Sequence, residues 1–221
     1  FNGVYIPGGS GRMITGTVAS GQSVAYGAFV MRSADGYIRM VDTGTNVHGY
    51  LGVANDDVVQ HTYDGFYDAY DLVPIISTGA ANAWLLGGQT VNSGDYLKFP
   101  AAMGAGTEGL GVLYPESGAT RTLDSVAKYI GDDDAGSADY DQTVSSISGV
   151  TLTIDSAPHL TSLALSEGDA VVIASGEAAE FNVIVDPAAS TTTCTVEKTP
   201  LASHSTSIKI YKLVQIPVML E

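Results

Sequence analysis

Short runs in which apolar and polar positions alternate fill most of this chain, and Gly-centred polar phrases separate them. Ser20-Gly21-Gln22-Ser23-Val24, Ser93-Gly94-Asp95-Tyr96-Leu97 and Glu167-Gly168-Asp169-Ala170-Val171 each place a glycine turn directly before such a run. Glycine takes positive φ without a Cβ clash, and Asp or Ser beside it bonds the turn's own backbone. A period of two between turn signals predicts β-strands. No segment keeps a helical period over three turns, and residues 157–167 leave room for one short turn only. Strands are predicted at Met13–Val18, Val24–Ser33, Tyr37–Asp42, Gly49–Ala54, Asp71–Ser77, Ala83–Leu86, Tyr96–Phe99, Gly109–Tyr114 and Thr122–Ile130. A second group follows at Gln142–Ile147, Val150–Ile154, Gly168–Ala174, Ala179–Asp186, Thr192–Lys198 and Ser207–Lys212, before a near-continuous apolar run, Leu213–Leu220. Asp35-Gly36 and Ser148-Gly149 are hairpin signals, and Pro74 points to an edge or bulge position.

The pattern also suggests boundaries. Residues 1–12 hold four Gly and one Pro, which suit neither helix nor strand, yet Phe1, Val4, Tyr5 and Ile6 are apolar. An extended arm that docks on another surface fits best. Asn55–Tyr70 mixes acids with aromatics without a period and reads as a long surface loop, a length that is often functional. Gly131–Asp141 is an acidic, small-residue linker. The apolar run after Lys212 is too hydrophobic for a frayed end and is expected to return to the first block. The expected organisation is an arm (1–12), a β core (13–130 plus 213–221) and an inserted β domain (131–212).

Charge narrows the function classes. Acids outnumber bases 24 to 9, for a formal net charge of −15. Nucleic-acid binding needs a basic face, and no Lys/Arg cluster exists, so neither nucleic acid nor an anionic membrane is an expected partner. Few lysines and many surface acids also suit a high-salt habitat. No apolar run reaches the ~18 residues of a membrane span. The chain begins with Phe1 rather than Met, so the true start is expected upstream or to have been cleaved.

Candidate chemistry is sparse. His48, His61, His159 and His204 lack the i, i+4 or H-x-E spacings of zinc sites. Cys194 is a lone thiol in an alternating run and reads as a small buried hydrophobe. Pro7-Gly8-Gly9-Ser10-Gly11-Arg12 lacks the frame of a phosphate loop. No nucleophile elbow is present. Asp132, Asp133, Asp134, Asp139 and Asp141 could crowd oxygen ligands, but their spacing misses the EF-hand pattern, and a solvated acidic linker is preferred. No catalytic residue, metal or cofactor is expected, and the chain reads as a non-enzyme. The aromatic residues Tyr63, Phe66, Tyr67 and Tyr70 are candidates for sugar or protein contact, since tyrosine and phenylalanine favour interface cores.

The order of phrases resembles the small capsid decoration (cement) proteins of tailed viruses. The resemblance rests on the segment Ser20–Val41, the phrase Tyr50–Ala54, the strand Asp71–Ser77, the phrase Val91–Phe99, the Gly109–Pro115 phrase and the final valine-containing strand. It covers residues 13–130 and 213–220; the Asn55–Tyr70 loop and block 131–212 depart from it. What it implies is an all-β protein with a small β-barrel-like or β-tulip-like core, bound to the outside of an icosahedral virion. The major capsid protein would be its partner, and a homotrimer its assembly. The arm residues Phe1, Val4, Tyr5 and Ile6 and the loop residues Tyr63, Phe66, Tyr67 and Tyr70 would bind partners. Phe29, Tyr37, Trp84 and Phe99 would be divided between core and interface. The alternative is a receptor- or glycan-binding virion projection that uses the loop or the insert.

Overall fold

β-Branched and aromatic residues suit a pleated, half-buried surface, and their alternation here builds strands throughout. The computed structural model describes residues 11–41, 49–55, 66–86, 89–99, 112–116, 120–132, 135–136, 141–154, 165–175, 179–187, 192–200, 204 and 208–220. Among the described residues there are eighteen strands and no helix, so the protein is all-β. The first block holds β1 (Arg12–Thr17), β2 (Val24–Ala25), β3 (Phe29–Arg32), β4 (Ile38–Met40), β5 (Tyr50–Ala54), β6 (Phe66–Tyr67), β7 (Leu72–Leu86), β8 (Thr90–Val91), β9 (Tyr96–Lys98), β10 (Tyr114–Pro115) and β11 (Ser125–Tyr129). The second holds β12 (Ala135–Gly136), β13 (Asp141–Ser148), β14 (Thr151–Ile154), β15 (Ala170–Ala174), β16 (Ala179–Asp186), β17 (Thr193–Val196) and β18 (Ile208–Leu220).

Fourteen of these strands belong to one sheet that folds back on itself twice. In the first fold-back, β1, β7, β5, β3 and β4 pair in sequence, and a bridge between Val18 and Ile38 returns the path to β1. Val18, Val30, Ile38, Tyr67, Val73 and Ile75 fill the space inside. In the second, β13, β14, β17, β16, β15 and β18 pair in sequence, and β18 pairs with β13 again. Leu152, Ile154, Val171, Ile173, Ile184 and Ile210 lie within that circuit. A third cluster, with Phe29, Leu85, Leu97, Phe99, Val126 and Val218, fills the space bounded by β3, β7, β9, β11 and β18.

Two expected breaks are absent. Asp71–Ser77 and Ala83–Leu86 are parts of one strand, β7. The boundary placed at Leu213 falls inside another, β18. Both long strands change partners midway. Residues 72–78 of β7 pair with β1, and residues 79–86 pair with β18. Residues 209–212 of β18 pair with β15, and residues 213–220 pair with β7. Conversely, the single strand expected at Val24–Ser33 is split into β2 and β3 by the turn at Tyr26-Gly27.

Pro74 is not on an edge: β1 lies beside it, opposite Thr15. Its carbonyl accepts the Asn55 N–H at 2.8 Å, one residue past the end of β5. Its missing N–H therefore faces the side where β5 has run out. Pro217 uses the same device, accepting from Ile130 N–H at 3.2 Å just past the end of β11.

The two blocks share an apolar seam. Ala28, Phe66, Trp84 and Leu86 of the first pack with Ala170, Val172 and Phe181 of the second. Phe181 meets the Trp84 ring at 5.8 Å between centroids. Lys198 lies over the Phe66 ring, 3.7 Å from its centroid, and pairs with Asp68 at 3.4 Å. The buried Asn182 side chain fixes that lysine's backbone, donating to its carbonyl at 2.8 Å and accepting its N–H at 3.1 Å.

Candidate functional site

Two of the recurring turn phrases share one geometry, and a third turn with it positions the most exposed of the described aromatic candidates. In Asn92–Asp95 the Asp95 N–H donates to the Asn92 carbonyl at 3.0 Å, and the Asn92 N–H donates back to Asp95 Oδ2 at 2.8 Å. In Ser166–Asp169 the same two bonds measure 3.0 and 2.7 Å. Asp68–Asp71 repeats them at 3.0 and 2.8 Å. Each turn is also clamped to a neighbouring strand by a reciprocal pair of bonds, with Tyr129, Ile184 and Val18 respectively. Each one leads directly into a strand, β9, β15 or β7. The third residue of the turn takes positive φ in all three: 89° at Gly94, 86° at Gly168 and 74° at Tyr70.

Tyr70 is thus a tyrosine in a glycine's place. It is the only non-glycine residue with positive φ among the described residues. Its side chain stands 60% exposed. The Val18 backbone holds Tyr70 and Asp71 on one side and bridges Ile38 on the other, which brings Tyr37 close. The Tyr37 and Tyr70 rings meet edge to face at 6.2 Å. Tyr37 is fixed in turn by the β3–β4 hairpin, where Asp35 accepts its N–H at 3.2 Å and bonds the Ser33 hydroxyl. That serine bond holds the Asp35 carboxyl below its ordinary value, against a smaller opposing effect of burial. Leu72 at the start of β7 and Met13 on β1 are also exposed.

The other expected partner residues fall elsewhere. Phe1, Val4, Tyr5, Ile6 and Tyr63 lie outside the described residues. Phe66 and Tyr67 are core residues, not surface ones: β6 pairs with β2, both side chains are buried, and the Tyr67 hydroxyl donates to the Asn55 carbonyl at 2.7 Å. Their alternation with Asp64 and Asp68 hid this, because the burying partners come from distant strands. Of the four residues expected to divide between core and interface, Phe29, Trp84 and Phe99 are buried, and Tyr37 is partly exposed.

Three polar clusters remain. His204 is buried between the Ser175 hydroxyl (Nδ1, 3.1 Å) and Glu180 (Nε2, 3.0 Å), tying the segment before β18 to the β15–β16 hairpin. The order suggests a catalytic relay, but Ser175 is itself buried. We read it as a structural pin. Glu116 is also buried and accepts from Thr122 Oγ1 at 2.6 Å and Lys98 Nζ at 3.0 Å. Burial alone would raise its carboxyl, yet the bonds from Thr122 and Lys98 hold it below its ordinary value. Cys194 lies inside the second circuit, where burial, and then the charge of Asp186, push its thiol up to about 11. Of the acidic linker, Asp133, Asp134 and Asp139 lie outside the described residues, and no metal-ligand grouping occurs among the described ones.

No family model, curated protein or solved structure matches this chain.

Proposed function

We propose that this chain is a structural virion protein that binds the outer surface of an icosahedral capsid as a homotrimer and stabilises the shell. The observation that carries the reading is the exposure of Met13, Leu72, Tyr70 and Tyr37, large hydrophobic residues on and beside β1, β7 and the β3–β4 hairpin of a densely bonded all-β scaffold. Exposed hydrophobic side chains that gather mark an interaction face, and the Tyr37 and Tyr70 rings meet. β1, which carries Met13, directly follows the proposed docking arm, residues 1–12. A protein that binds only the assembled shell stabilises it by mass action, and many copies add their effects. The phrase-by-phrase resemblance to decoration proteins supplies the class of partner.

The test mixes the full chain with purified capsid shells of the tailed virus whose genome encodes it. The expected result is external density in three copies around a three-fold or quasi-three-fold axis, and shells that withstand more heat. Failure to bind shells would overturn the reading, and monomeric or two-fold density would remove the trimer.

A further inference from the structure

Tyr70 costs stability where its two counterparts do not. A non-glycine residue in the left-handed region is strained by its Cβ, and such strain persists at functional sites when the surroundings enforce it. The hydrogen bonds of the Asp68–Asp71 turn match those of the turns that use Gly94 and Gly168, so the turn itself has no need of a tyrosine. The ring buries little in return, being 60% exposed with Tyr37 as its aromatic neighbour. Folding therefore does not account for Tyr70, and the exposed ring pair is what the strain maintains.

The surroundings choose the occupant. Asp35 stands beside Tyr37 and is fully exposed. Asp68 and Asp71 frame Tyr70, and Asp68 keeps 66% of its side chain in solvent. Arg39 lies close enough to Asp35 to help lower its carboxyl, Lys198 pairs with Asp68, and the chain as a whole carries fifteen more acids than bases. An electron-rich ring face flanked by carboxylates attracts a planar cation. We propose that the Tyr37–Tyr70 pair is a docking site for an arginine side chain on a basic surface of a partner protein. The guanidinium stacks on the tyrosine face, and the neighbouring aspartates set the orientation and speed the encounter. This inference stands on the surface of the chain and does not depend on the partner being a capsid.

The experiment titrates the full-length protein in dilute buffer with acetylated hexa-arginine, hexa-lysine, a neutral Gly-Ser hexapeptide and maltohexaose, following the tyrosine ring signals by NMR. We expect hexa-arginine to shift the Tyr37 and Tyr70 rings more than hexa-lysine does, with the shifts fading in molar salt. Tyr70→Gly should weaken the arginine peptide about fivefold, without lowering the melting temperature, and Tyr70→Phe should retain binding. Unshifted rings, equal affinity in Tyr70→Gly, or a stronger response to maltohexaose would overturn the proposal. So would a large loss of stability in Tyr70→Gly, which would make the tyrosine a folding residue. Shell binding is read in a separate experiment, so either reading can fail alone.

Discussion

Phe66 and Phe181 meet edge to face, with ring centroids 5.3 Å apart, although 115 positions separate them in the sequence (181 − 66). The contact lies on the seam between the two blocks and makes the second a partner of the first rather than an appendage. We expect Phe181→Ala to cost about 3–5 kcal/mol, as for other buried Phe truncations. Chemical denaturation should show one transition shifted to lower denaturant for probes in both blocks. A variant that unfolds only residues 131–212 would show that the seam does not couple them.

The turn geometry makes a second prediction. A Cβ added at Gly168 would meet no atom within 4 Å, so the cost of Gly168→Ala is confined to its backbone at φ 86°. It should be about 1–2 kcal/mol. A stability change near zero in thermal unfolding would mean that the left-handed turn is not required.

Glu116 predicts an acid limb. Its folded carboxyl is held below the ordinary value of 4.5, so it binds its proton less readily folded than unfolded. Its contribution is complete above that value and is lost as pH falls through the lower, folded value. Unfolding midpoints measured from pH 6 to 3 should therefore fall more steeply for the parent than for Glu116→Gln. Parallel curves would remove Glu116 from the acid response.

Cys194 should be chemically silent in the folded protein. Its thiol is buried and raised to about 11, whereas thiolate is the reactive form. Alkylation at pH 8 should proceed at the rate of unfolding and become rapid in denaturant. Fast native labelling would show that the second circuit opens readily.

The net charge of −15 predicts salt stabilisation. Raising salt from about 0.01 M to 1 M shortens the screening length from about 30 Å to 3 Å and quenches repulsion among the acids. The melting temperature should rise across that range. A flat or falling profile would count against a high-salt habitat.

Much of the strand content was legible because alternation is local. Ala179–Asp186 has the predicted bounds, and the hairpins at Gly36 and Gly149 fall where Asp-Gly and Ser-Gly place them. The long strands were not legible. Gly79-Ala80-Ala81-Asn82 lies outside the predicted strands, yet β18 pairs with it from far along the chain. Long-range pairing decides such stretches, and local propensity cannot register it. The candidate site divided the same way. Tyr70 was named for its aromatic character, but the turn beneath it carries no glycine to announce it. Phe66 and Tyr67 looked exposed because their partner strand, β2, lies 41–43 positions upstream and Phe181, which packs on Phe66, lies far downstream.

The shared strand β18 also sets an order on biosynthesis. Residues 12–78 contain every strand segment of the first circuit, so that circuit is free to close while later residues are still being added. The second circuit lacks one wall until residues 208–212 have left the ribosome, and the sheet of β9 and β11 lacks its link to β7 until residues 213–220 follow. Until then the apolar faces of residues 79–86 of β7, of β11 and of β15 have no permanent cover. A nascent chain arrested before Ile208 should therefore be a strong client for chaperones, and one that includes residues 208–220 should not.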